Sequence, residues 1–320
     1  MCCTSSTRIS KTRKGGRIMV YEIGILGRVK IDAHSLNNEG AIGNVTEPRT
    51  VVLSDGSKTD GISGEMLKHI HVEAVWQLAR EKELELCSPC QKLNPMKADG
   101  NAKVKKQAEA SKALNEALKC TICDIHGFLV QELALSRKST VEFGWALALP
   151  EQFHRDIHVH SRVAPGEKKR RAKEGEEEGT VQMLYNRPTR SGVYAFVSVF
   201  QPWRLGLNEI DYSYAIDENV RKSRYRLALD AYKAMMLRLE GAMTTTRLPH
   251  LGVCEGVIVR SDNAMPVPVL SPLTQDYVSQ LESIAKRVEC KVEKFSNLDE
   301  LLQKLDNLKR EEVYKLKGAQ

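Results

Sequence analysis

The sequence predicts an α+β fold: a ferredoxin-like, RNA-recognition-type core interrupted by a helical zinc-binding insertion and by a β-hairpin insertion. Three observations carry this reading. Apolar alternation marks strands near 20–31, 140–149, 193–201 and 251–260, and helical spacing marks helices over 64–83 and 221–240. Their order, strand–helix–strand taken twice, is the ferredoxin-like one. The intervening stretches hold two Cys-x-x-Cys pairs in one place and a highly charged hairpin in another.

At 320 residues the chain supports one large core or two modest domains. Hydrophobic residues make up 42%, and no run approaches the ~18 apolar residues of a membrane span. Residues 1–17 are basic and polar without a signal-peptide core, so a disordered tail and a cytoplasmic location are expected. A net charge of +7 leans toward an anionic partner without requiring one. The chain divides into a tail 1–17, core segments 18–84, 136–156 and 191–320, a cysteine-bearing insertion 85–135 and a hairpin 157–190.

The first strand alternates through Tyr21, Ile23, Ile25, Gly27, Val29 and Ile31. After Ala33 the rhythm stops, and Asn37, Asn38, Gly40, Gly43 and Asn44 crowd into a loop closed by Arg49. Asparagine and glycine tolerate left-handed backbone, so such a loop turns several amides toward one ligand. With Arg28 and Lys30 on the adjoining strand it suits a phosphate or a polar polymer, although an ordinary turn has the same composition. A short strand over 50–53 precedes a turn at 54–61. Ser63 caps helix 64–83, on which Met66, Ile70, Ala74 and Leu78 share a side. A second amphipathic helix spans 103–118. Residues 157–163 and 180–186 pair around 165–179, a stretch too charged to bury. Tyr194, Phe196 and Phe200 alternate on the third strand, but the basic-glycine preamble of a base-stacking strand is missing, so they read as core. Helix 221–240 turns Tyr225, Leu229, Tyr232, Met236 and Leu239 inward. A helix over 275–289, a strand over 290–295 and a helix starting at Ser296, with Ser296 and Asp299 at capping-box spacing, end the chain.

Cys87, Cys90, Cys120 and Cys123 form two pairs, each able to place two sulfurs on one tetrahedral ion. Four thiolates fill every position, so the Zn2+ they predict is structural. His126 follows Cys123 by three residues and reads as a substitute ligand, a support to the ligands or an exposed polar residue. Cys254 and Cys290 read as small buried apolar side chains.

The stretch 28–49 resembles the N-terminal signature of the DevR-type backbone subunits of CRISPR Cascade, through Arg28, Leu36, Asn37, Asn38, Gly43, Asn44 and Arg49. ISGEMLKH at 62–69, SGVYAFVSV at 191–199 and TTTRLPH at 244–250 match in order, so the resemblance covers most of residues 18–260. It implies a palm bearing a finger insertion and a thumb hairpin. It also implies a non-catalytic subunit that coats the spacer of a guide RNA. Such a subunit assembles with copies of itself and other Cascade subunits, and presents the guide to target DNA. The implied RNA contacts are Arg28, Asn37, Asn38, Gly43, Asn44, Arg49, Lys68, His69 and Arg247, with His160, Arg162 and Met183 on the thumb. Threonines 244–246 stand where the family has serine beside the arginine. Related subunits cleave RNA with a loop aspartate, which makes a metal-dependent ribonuclease using Asp32 the alternative. Asp32 lies in a strand without a second carboxylate, so cleavage is not expected. No helix-turn-helix supports a transcriptional regulator.

Overall fold

A computed structural model describes residues 19–163, 182–241 and 243–319. The expected tail 1–17 and the charged tip of the hairpin lie outside the described residues. The architecture is mixed α/β. In chain order come β1 (Glu22–His34), β2 (Asn38–Ile42), β3 (Val45–Pro48), β4 (Thr50–Val52), β5 (Lys58–Ile62) and α1 (Gly64–Glu81). Next are α2 (Ser88–Gln91), α3 (Ala102–Lys105), α4 (Ala110–Leu118), α5 (Thr121–His126), β6 (Val141–Phe143), β7 (Ala146–Val163) and β8 (Gln182–Phe200). Last are α6 (Glu218–Leu237), β9 (His250–Ser261), α7 (Tyr277–Arg287), β10 (Lys291–Phe295) and α8 (Leu298–Leu308).

One sheet runs β10-β9-β1-β8-β7-β5-β4, with β6 and the β2–β3 hairpin also joined to β8. Helices α1, α6 and α8 cover one face, where Ile23, Ile25, Ile31, Tyr194 and Phe200 are buried. Helix α7 covers part of the other, over Leu26, Val257 and Val259. Tyr194 and Phe200 are wholly buried and therefore part of the core, as their alternation predicts. Asp217 caps α6 and Ser63 caps α1, each oxygen accepting an amide of the first turn. The last helix is capped one residue later than the sequence suggests: Asn297 accepts from Glu300 N, and Glu300 reaches back to Ser296 N.

Three stretches differ from expectation. Residues 38–48 are a hairpin rather than a loop, closed at Ile42↔Val45 by Gly43, whose φ of 61° lies in the left-handed region. The expected turn at 54–61 ends as strand β5, whose polar residues are buried because they find partners: Thr59 donates to Ala148 O, and Asp60 faces arginines. The helix over 103–118 is two helices, with buried Val104 on one and buried Leu114 on the other.

The hairpin over 157–186 continues two central strands. Strands β7 and β8 pair at Leu147↔Ala195 and Ala148↔Tyr194, then, after a break, from Phe153↔Gly192 out to Val163↔Gln182. The break falls at Pro150, which has no amide to give the ladder. Gly192 is needed there, since a Cβ would stand 2.8 Å from that of Phe153. The root is tied at buried Asp60, which accepts from Arg190 at 3.0 Å, from the more exposed Arg155 at 3.0 Å and from Tyr194 at 2.9 Å. Tyr194 also meets His34 Nε2 at 2.8 Å.

Candidate nucleic-acid interface and metal centre

Beyond the break, alternation sorts the arm into two faces. Asp156, His158 and His160 oppose Thr189, Arg187 and Tyr185, so these six share one face. His160 stacks on Tyr185 with ring centroids 5.5 Å apart and planes 12° from parallel. The Arg187 guanidinium lies 4.7 Å from the same tyrosine centroid. Arg247 arrives from the segment before β9 and bonds His160 Nε2 at 2.8 Å and Thr189 Oγ1 at 3.3 Å. Partial desolvation, then Arg247 and Arg187, hold the His160 pKa below the usual imidazole value. The result is two guanidinium groups beside stacked rings, a surface for phosphates and bases. The backbones of Arg162 and Met183 pair one step further out along the arm. Tyr185 and Arg187 were not singled out in the sequence; their two-residue offset from Met183 is the signal that would have found them.

The Asn37–Arg49 stretch is mostly self-engaged rather than an open cradle of amides. Asn37 Oδ1 accepts from Ser63 N at 2.5 Å, which fixes the stretch to the start of α1. Asn38 Nδ2 donates to Ser35 O at 3.1 Å and meets Met243 Sδ, leaving its buried Oδ1 without a partner. Asn44 O accepts from Asn186 N at 2.7 Å, so the Gly43 turn rests against the arm. Arg49 lies over Trp145 and 3.8 Å from Glu39.

The remaining residues named from the sequence lie elsewhere. Arg28 donates to Pro272 O at 2.7 Å and Thr274 O at 3.0 Å and covers Tyr277, so most of its guanidinium is committed to the fold. His69 pairs with Glu73 on α1. Lys68 lines a groove between α1 and the cysteine-bearing insertion. Asp32 pairs with Lys30 at 3.3 Å.

All four sulfurs of Cys87, Cys90, Cys120 and Cys123 lie within 4.8 Å of one another. Cys123 Sγ is 3.8 Å from Cys87 and 3.7 Å from Cys90. A tetrahedron with metal–sulfur bonds of ~2.3 Å has edges of about 3.8 Å, so the set fits one ion. Cys87 and Cys120 occupy the N-caps of α2 and α5, which fixes one sulfur of each pair at a helix start. Hydrogen bonds among the four sulfurs lower the Cys120 pKa and raise those of Cys90 and Cys123, so the set shares its protons as one unit. Among the described residues no other group of three or more such side chains is placed for an ion. Asp124, next to the cluster, takes Arg137 and Arg224 at 2.7 Å each and the Gly206 amide, all buried. That network ties the insertion to α6. His126 is neither ligand nor exposed: it is buried against His71, at 3.1 Å.

Fold and site thus define a mixed α/β scaffold with a projecting, basic and aromatic arm and a separate four-cysteine centre. The chain belongs to the family described as CRISPR-associated negative auto-regulator DevR/Csa2, whose profile matches residues 25–282. It is similar to a "CRISPR-associated protein Cas7/Cst2/DevR" of Methanocaldococcus jannaschii, 27% identical over 322 residues, covering 88% of this chain and 98% of that one. A protein of the same description from Thermoproteus tenax is 27% identical over 260 residues, covering 75% of this chain and 74% of that one. Among solved structures, a chain from a "CRISPR RNA-guided surveillance complex" aligns with TM-score 0.48 and 13% identity over 91% of this chain and 99% of that one. A chain from such a complex described as pre-nicking aligns with TM-score 0.47 and 13% identity, over 84% and 88%.

Proposed function

We propose that this chain is a guide-RNA-binding backbone subunit of a CRISPR surveillance complex. Copies line the spacer, with other subunits of the complex, and hold it for pairing with target DNA. The arm's basic and aromatic face carries the reading, because Arg247, Arg187, His160 and Tyr185 can grip phosphate and stack a base without reading sequence. A guide changes while the protein does not, so recognition of this kind is what a backbone subunit needs.

The domain reading follows. Segments 18–84, 136–156 and 191–320 form the palm, for which the order β9-β1-β8-β7, the ferredoxin-like arrangement of its four strands, is the support. Residues 85–135 are a finger held by structural Zn2+ at Cys87, Cys90, Cys120 and Cys123, supported by sulfur spacings near the tetrahedral edge. Residues 157–190 are the thumb. RNA contacts centre on His160, Arg162, Met183 and Arg247, with Asn37, Asn38, Gly43, Asn44 and Arg49 shaping the adjoining hairpin and Arg28, Lys68 and His69 peripheral to it. The metal is structural, since the four sulfurs complete a tetrahedron. Asp32 pairs with Lys30, and among the described residues it belongs to no group of three or more side chains placed for an ion, which favours binding over cleavage.

Co-purification from the host followed by sequencing of the bound nucleic acid tests this. Guides of uniform length and varied spacer are expected. Recovery of DNA alone, or of one fixed RNA sequence, defeats the reading. RNA shortened by purified protein with magnesium, and spared by Asp32→Asn, would put the ribonuclease in its place.

A further inference from the structure

Lys97 carries a charge that the fold leaves without a carboxylate. It opens the 3-10 turn Lys97–Gly100, which lies between the two cysteine pairs in sequence. Among the described residues Lys97 forms no ion pair with an acid, since Asp99, two positions on, pairs with Lys105. Its φ of 47° falls in the left-handed region, which is costly for a residue with a Cβ. Two bonds at the end of its side chain offset this: Lys97 Nζ donates to His126 O at 3.2 Å and to Gly127 O at 3.0 Å. Those carbonyls close α5, the helix that starts at Cys120 and carries Cys123. At the other end of the turn, Gly100 rests on α2, where a Cβ would stand 2.9 Å from Pro89 Cγ. Pro89 lies between Cys87 and Cys90. The turn therefore touches both helices that bring sulfur to the centre.

A second observation concerns what surrounds the ammonium. Lys97, Cys90 and Ile122 line one cavity of about 370 Å3, whose single carboxylate, Glu65, is exposed and not paired with Lys97. Burial holds the Lys97 pKa below the usual lysine value, and the charges that oppose this belong to Cys123, Cys90 and Cys120. Four thiolates around a divalent ion carry two surplus negative charges, and a cation beside them stabilises the metal-bound state. Protonated thiols would give the ammonium no counter-charge.

We propose that Lys97 is a positioning residue of the four-cysteine centre. Its ammonium is the counter-charge of the metal-bound thiolates, and its two carbonyl bonds lock α5 against the turn that rests on α2. The inference rests on Cys87, Cys90, Cys120 and Cys123 holding Zn2+, and adds Lys97 as a determinant of how tightly they hold it.

Zinc affinity of the full chain, measured by competition with a chromophoric chelator, tests this. Lys97→Gln keeps an amide donor for the carbonyls but removes the charge, and is expected to weaken zinc binding about tenfold. Lys97→Arg keeps the charge and should restore most of the affinity. Lys112→Gln, which removes an exposed charge on α4, should change nothing. Cobalt in place of zinc gives a second readout. Without the cation the sulfur electrons are held less tightly, so the sulfur-to-cobalt charge-transfer band of Lys97→Gln should move to longer wavelength. Equal zinc affinity in Lys97→Gln, or an equal loss in Lys97→Gln and Lys97→Arg, overturns the proposal and leaves the zinc reading standing. A parent chain that holds no zinc overturns both.

Discussion

Arg247 and His160 are 87 positions apart in sequence, yet the guanidinium donates to His160 Nε2 at 2.8 Å. The bond needs a neutral imidazole, so it joins the TTTRLPH block to the arm only while His160 is unprotonated. Two elements that look independent in sequence are one surface.

That surface gives the first prediction. Arg247→Ala and Arg187→Ala should each weaken binding of unstructured RNA about tenfold near 0.1 M salt and flatten the salt dependence by about one unit of slope. The loss should be the same for RNAs of equal length and different sequence. Fluorescence anisotropy over a salt series measures both. A variant that changes base preference instead would place these arginines against base edges.

Stability against pH is the second. Burial lowers the His71 pKa from 6.5 to about 4 and, with Arg190 beside it, that of His34 to about 3. The folded chain resists protons that the unfolded chain accepts. The contribution is therefore fully present above pH 6.5 and is lost as pH falls toward 4 and below. For His71 the shift corresponds to about 3 kcal/mol. Between pH 6.5 and 5, before carboxylates titrate, the urea midpoint should fall steadily, and His71→Gln should reduce that slope. A flat midpoint over this window would contradict the buried neutral pair.

The core was legible because its strands and long helices obey one period each: Ile23, Ile25 and Ile31 alternate, and Tyr225, Leu229 and Tyr232 follow a helix. What stayed hidden was set by partners distant in sequence. Asp60 reads as a turn residue until Arg190 and Arg155 neutralise it, and His126 reads as a surface or metal histidine until His71 meets it. The cysteine set was legible since spacing alone defines it. Arg28 illustrates the opposite limit, because a basic residue on a strand gives no sign of whether it faces a ligand or the carbonyls of Pro272 and Thr274.

For the cysteine centre, elemental analysis of protein purified without chelator should find one zinc per chain. Cys87→Ser with Cys120→Ser should abolish it and open residues 85–125 to protease while the sheet stays folded. Partial protection from the Asp124 network is expected at the α6 side, where Arg224 and Arg137 hold on independently of the metal. Protein free of metal yet equally resistant would mean that the thiols pack without an ion.

The last prediction concerns the other face of the arm. Ile157, Val159 and Leu184 are 54%, 68% and 50% exposed, and they alternate strictly with the basic and aromatic side. Two strands projecting from a body gain little stability by themselves, and adjacent exposed apolar side chains mark a contact surface. If RNA occupies the basic face, the other is left to meet a neighbouring copy, and a head-to-tail contact of that kind propagates along a strand. Val159→Asp replaces an exposed side chain, so melting should change little. Binding of one copy to a short RNA should also persist. Assembly of many copies on a long RNA, followed by sedimentation, should lose its cooperativity. Arg187→Ala should instead weaken both. Should Val159→Asp sediment with long RNA as the parent chain does, this face is not what joins one copy to the next.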